Sequence, residues 1–163
     1  MAAGSTYTPL ATTTLGSSVA SVTFSSISGI YTDLMVIISG TTSTDTGLPM
    51  QFNSDTGSNY SGTLIYGSGS SAVSERASNA TAMPSMGRMD AVSGNGIFHF
   101  MNYSNTTTHK TVVSRGNNAN SIVIANVGLW RSTSAINSIK FMVEGAATYS
   151  SGTTFTIYGI KAA

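Results

Sequence analysis

Few side chains in this sequence could do chemistry, and their spacing limits which chemistry that would be. The histidines are His99 and His109, and a catalytic reading needs one of them poised beside a nucleophile and a carboxylate. His99 lies in Ile97-Phe98-His99-Phe100-Met101, where alternation with aromatics puts it on a strand and makes a structural role the simpler expectation. The acids Asp33, Asp45, Asp55, Glu75, Asp90 and Glu144 are far apart and form no Asp-x-Asp ligand run, and the histidines form no His-x-x-x-His pair. No structural metal and no cofactor is therefore expected. A Ca²⁺ site would have to use Asp45 or Asp55 with loop carbonyls; capping of turns by these side chains is the simpler reading. Carboxylates paired for glycoside hydrolysis are not evident, and Gly67-Ser68-Gly69 lacks the Lys-Thr/Ser and helix of a phosphate cradle. With no cysteine to serve as nucleophile or thiolate ligand, the expectation is a protein that is not an enzyme. Trp130, Tyr60, Tyr66 and Tyr103 are the residues that could stack on sugar faces, and core or sheet-rim positions explain them equally well.

Charge narrows the partners. Seven Lys and Arg offset six Asp and Glu for a formal net charge of +1, and Arg76, Arg88, Lys110, Arg115, Arg131, Lys140 and Lys161 stand singly along the chain. No electrostatic footprint for nucleic acid or an anionic membrane is present. No apolar run approaches the roughly 18 residues of a membrane span, and Met1-Ala2-Ala3-Gly4-Ser5 has neither the basic nor the apolar region of a signal peptide. The expectation is a soluble protein made in the cytosol.

The elements that must position these residues are strands. Charged residues are 8% of the chain against about 25% in an ordinary domain, while Ser, Thr and Gly are abundant. Apolar positions alternate far more often than they recur at helical spacing. Strands are predicted over 10–15, 19–24, 33–39, 48–52, 61–66, 96–102, 110–114, 122–130, 136–144 and 154–160, at the pitch of sandwiches and barrels. Between them lie turn formers such as Asn53-Ser54-Asp55-Thr56-Gly57 and Arg115-Gly116-Asn117-Asn118. The continuous runs Leu34-Met35-Val36-Ile37-Ile38 and Ile122-Val123-Ile124-Ala125 predict strands covered on both faces. Residues 71–82 are the one stretch that could hold a helix, without a clear apolar face. The long stretch 67–95 carries Met83, Met86 and Met89, whose adaptable side chains make them the expected partner contacts, the alternative being that they fill the domain's own core. At 163 residues the chain is read as one domain. It is all-β, a single antiparallel β-sandwich over 1–163, with jelly-roll connectivity and an ordered N-terminal extension that also makes contacts.

Three stretches carry a family resemblance. They are Tyr31-Thr32-Asp33-Leu34-Met35-Val36-Ile37; Phe52-Asn53-Ser54-Asp55 with Tyr60; and the ending Gly128-Leu129-Trp130, Ile136-Asn137-Ser138-Ile139 and Gly152-Thr153-Thr154-Phe155-Thr156-Ile157-Tyr158-Gly159-Ile160. From about Tyr31 to Ile160 the pattern resembles small tailed-phage virion proteins of the capsid decoration (cement) or tail-fibre type. The resemblance implies a β-sandwich that works by assembling on a virion, commonly as a homotrimer, in contact with the major capsid protein or other virion proteins. It supplies no active-site residue. The function expected is that of a decoration protein binding and stabilising the capsid surface, put together in the host cytoplasm. The alternative is a receptor- or carbohydrate-binding domain of a tail fibre.

Overall fold

The alternation in the sequence becomes thirteen strands among residues 6–161, the part of the chain that the computed structural model describes. They are β1 (Tyr7–Thr14), β2 (Ser21–Phe24), β3 (Asp33–Gly40), β4 (Thr46–Gly47), β5 (Met50–Phe52), β6 (Tyr60–Gly67), β7 (Ala72–Ala80), β8 (Arg88–Met89), β9 (Gly94–Met101), β10 (Lys110–Asn118), β11 (Ile122–Trp130), β12 (Ile139–Met142) and β13 (Thr154–Ile160). No helix occurs among the described residues. The expected N-terminal extension, Met1 to Ser5, lies outside them.

Eight strands form one antiparallel sheet in the order β1-β13-β3-β9-β10-β11-β6-β7. A three-stranded sheet, β2-β12-β5, faces part of it, and β4 pairs with β8 alongside. The two larger sheets meet through aromatics: Phe98 and Phe155 of the large sheet lie with ring centroids 5.2 and 6.1 Å from Phe141 of β12, and Phe100 lies 5.8 Å from Phe52 of β5. The Phe98–Phe141 and Phe52–Phe100 pairs are edge-on, and each such pair adds about 0.5–1.5 kcal/mol to the burial of its surface. Leu34, Val36 and Ile38 of β3 and Ile139 of β12 close the same layer, all fully or nearly fully buried. The all-β, antiparallel, sandwich-like fold expected from the alternation is the one observed.

Two local expectations are corrected. Residues 71–82 are not helical; Ala72–Ala80 is the edge strand β7, hydrogen-bonded to β6 alone. An edge strand with no layer over it needs no apolar stripe, so it leaves little periodic signal. The apolar runs in β3 and β11 are not covered on both faces within the chain. In the β3 run Leu34, Val36 and Ile38 are buried and Met35 and Ile37 half-buried, and Val123 on β11 is 71% exposed. The runs are continuous because the outward-facing residues are apolar as well.

Candidate interaction surface

The methionines predicted as contacts are core residues. Met83, Met86 and Met89 are all fully buried, which corrects their placement on a partner surface and favours the alternative that they fill the domain's own core. The segment after β7 turns inward: Met83 exchanges backbone hydrogen bonds with Met50 at 2.8 and 3.1 Å, and the Met86 N–H donates to the Leu48 carbonyl at 3.1 Å. The thioethers lie over Gly128 of β11, where an added Cβ would fall 2.2 Å from the Met83 sulfur and 2.8 Å from that of Met86. Unbranched sulfur side chains fill this irregular gap, where stiffer ones would leave voids.

Several titratable residues hold internal partners. His99 Nε2 pairs with Asp33 Oδ2 at 2.9 Å, and Asp33 Oδ1 accepts the Asn102 N–H at 2.7 Å. His99 thus closes a strand-to-turn contact on the outer face of the large sheet, consistent with a structural strand position. Asp45 receives Arg88 through two nitrogens at 2.6 and 2.7 Å and Asn118 at 3.0 Å, and the Arg88 hydrogen bonds hold its carboxyl below the usual carboxylate range. Asp55 caps its own turn, accepting the Gly57 N–H at 2.8 Å, and also takes Asn59 Nδ2 at 3.0 Å and the Trp130 indole N–H at 2.7 Å. Those bonds, the indole first, keep its carboxyl low too. Both aspartates suggested for Ca²⁺ therefore serve as caps and clamps. Lys110 is buried, its Nζ donating to the Thr108 and Thr133 carbonyls at 2.6 and 3.2 Å, and burial lowers its pKa.

The sugar-stacking candidates divide. Trp130, Tyr60 and Tyr103 are buried; Trp130 stacks on Tyr60 at 6.3 Å with the rings 15° apart, deep in the core. Tyr66 alone is half-buried. It lines a cavity of about 290 Å³ together with Glu75, Ser85, Arg88 and Glu144. Here Tyr66 OH meets Glu75 Oε1 at 3.4 Å, and Ser85 Oγ donates to Glu144. Glu75 and Glu144 come from strands and loops 69 residues apart, by subtraction of their positions, so no spacing rule could have joined them.

Among the described residues, the outer face of the eight-stranded sheet carries exposed large apolar side chains. Cross-strand register builds it in rows: Ile65, Ala125, Arg115, Ile97 and Ile37 stand side by side on β6, β11, β10, β9 and β3, and Thr63, Val127, Val113, His99 and Met35 form the next row. Val123 is 71% exposed, Ile65 57%, Val127 52% and Val113 42%. Around β6, β7, β10 and β11 a groove of about 610 Å³ is lined by Ile65, Val73, Arg115, Val123 and Ala125. The signal for this face was in the sequence, in the unbroken apolar runs. No protein-family model matches this chain, and no curated protein is similar to it.

Proposed function

We propose that this chain is a non-enzymatic structural protein of a tailed-phage virion, a decoration protein that binds the major capsid protein as a homotrimer and stabilises the capsid surface. The observation that carries the reading is the outer sheet face, on which large apolar residues stand open to solvent in adjacent rows. Contiguous apolar surface of this kind marks protein contact. The resemblance over residues 31–160 supports the same reading. Jelly-roll connectivity is proposed for the core, because the chain passes in turn through β1, β2, β3, β5, the Met83 bridge, β9, β12 and β13, with β1-β13-β3-β9 in one sheet and β2-β12-β5 with that bridge in the other. The test is the protein's position on purified particles. Many copies on the head are expected; a few copies confined to the tail tip would overturn the decoration reading.

The tail-fibre alternative, a receptor- or carbohydrate-binding domain, is favoured by one observation. The cavity of Tyr66, Glu75, Ser85, Arg88 and Glu144 joins an aromatic to hydrogen-bonding groups in a space of about 290 Å³, the combination that a hydroxyl-rich ligand needs. A glycan array decides it: binding abolished by Glu144→Gln would favour this reading, and no binding at high protein concentration would remove it.

A further inference from the structure

We infer that the cavity between β6, β7, β11 and the segment entering β8 binds a small organic cation, an ammonium or guanidinium group on a short hydrocarbon stem. The inference goes beyond the assembly reading and does not depend on it. It competes with the hydroxyl-rich ligand for the same cavity.

Register builds the site. Tyr66 pairs with Ile124 across β6 and β11, and Leu64 pairs with Glu75 across β6 and β7. Residues two apart on a strand, and residues directly opposite each other, share a face, and this face is the inward one, since Ile124 is 4% exposed. Leu64, Ile122 and Ile124 give the cavity apolar lining, and the exposed carboxylates of Glu75 and Glu144 line it as well. Its volume of about 290 Å³ lies at the lower end of the roughly 300–1,000 Å³ of small-molecule sites, so the ligand is small.

Charge sets the ligand's sign. Arg88 is paired with Asp45 through two nitrogens, whereas neither Glu75 nor Glu144 has an ion-pair partner among the described residues. Asp45, Glu75 and Glu144 thus stand against one guanidinium, and a concave site with a surplus of one sign concentrates ligands of the other. Hydrogen bonding sets the ligand's chemistry. The hydroxyls of the cavity already donate inward, Tyr66 to Glu75 at 3.4 Å and Ser85 to Glu144, and the carboxylates keep lone pairs beyond these bonds. Asn126, opposite Leu64 on β11, is 3% exposed; its Nδ2 donates to Ser114 Oγ at 3.1 Å, and its Oδ1 is buried with no donor among the described residues. Buried acceptors are ordinarily paired, so this one is open to a donor. A surplus of acceptors calls for a ligand that only donates. An ammonium brings three donors and no acceptor, while a neutral sugar brings acceptors with its donors. The stem of the cation lies along Leu64, Ile122 and Ile124, as the stem of a lysine lies along apolar surface.

Titration of the full chain with n-butylammonium, followed by NMR shifts of backbone and side-chain amides, tests this. Saturable binding in the millimolar range or tighter is expected, with the shifts centred on Gly87, Ile122, Ile124 and the Asn126 side chain. 1-Butanol, which keeps the stem and loses the charge, should bind at least about tenfold more weakly, and butyrate should not bind. Glu75→Gln and Glu144→Gln should each lower the affinity for n-butylammonium by about tenfold. Both variants should keep β-type circular dichroism, since both side chains are exposed, and Lys140→Gln, on the exposed side of β12, should bind as the wild type does. A titration that stays linear, or binding that survives both glutamate variants, overturns the inference. 1-Butanol or methyl glucoside bound as tightly as n-butylammonium also overturns it and leaves the cavity to the hydroxyl-rich ligand. Nα-acetyl-lysine methylamide separates the sources of the cation: tighter binding than n-butylammonium identifies a basic side chain of a partner protein, weaker binding identifies a free amine, and either keeps the inference. None of these results moves the protein on or off the head, so the decoration reading stands or falls separately.

Discussion

Asp55 joins three segments at one carboxylate: its own turn through Gly57, the start of β6 through Asn59, and the end of β11 through Trp130. Trp130 is 2% exposed, so losing its acceptor leaves an indole N–H buried and unsatisfied. Asp55→Asn replaces the charged acceptor by one neutral carbonyl and a donor, and is expected to lower stability at neutral pH by about 1–3 kcal/mol. The folded carboxyl titrates below its unfolded value of about 3.9, so its stabilisation is complete above that pH and is lost as pH falls through the folded pKa. Urea melts across this window should show wild type and Asp55→Asn converging toward acid; a gap that stays constant would mean that charge has no part in the clamp. The neighbouring Tyr60 hydroxyl accepts the Phe52 N–H at 3.0 Å and is pushed by burial up to about 12. It stays protonated across that acid range, so the convergence reports Asp55 and not its phenolic neighbour.

At the scale of elements, strand pairing is set by close approach as well as by hydrogen bonds. Gly116 of β10 sits opposite Gly96 of β9, and a Cβ there would lie 2.5 Å from the Asn95 carbonyl oxygen and 3.2 Å from the Gly96 Cα. These are backbone atoms, and they can retreat only by opening the β9–β10 ladder. Gly116→Ala should therefore cost about 1–3 kcal/mol, whereas Gly67→Ala, where an added Cβ meets nothing within 4 Å, should melt close to the wild type. Thermal unfolding of the two variants side by side checks the contrast. β7 shows the opposite limit. It has one partner and a register shift against β6, and charged Glu75 and Arg76 on this edge oppose pairing with a further strand.

For the whole molecule, the two faces of the large sheet behave differently. The inner face is closed by Met83, Met86 and Met89 as well as by the second sheet, so Met86→Asp, which buries a carboxylate, should abolish cooperative folding. Loss of the β-type spectrum is the expected result, and a folded, cooperative Met86→Asp would put the segment back on the surface. The outer face carries few charges, so self-association and particle attachment should depend weakly on salt. Association that collapses between low and moderate ionic strength would point to a charge cluster, such as the Glu75–Glu144 cavity, as the contact in its place.

The sequence by itself determined the fold class and most strands, because period-two alternation and turn formers act within a few residues of one another. Residues 122–130 and 154–160 are strands with the expected bounds, and Asp55 caps the turn that its Asn-Ser-Asp-Thr-Gly context predicts. Tertiary structure alone decided which surfaces those strands bury. Met83 lies in the core because Met50, 33 positions earlier by subtraction, offers its backbone there, and β7 is a strand because β6 holds it. Glu75 and Glu144 share a cavity because separate segments meet at the end of the large sheet. Alternation states that a strand has two faces. Which face is buried depends on partners far along the chain, whose contacts are absent until the sheets close.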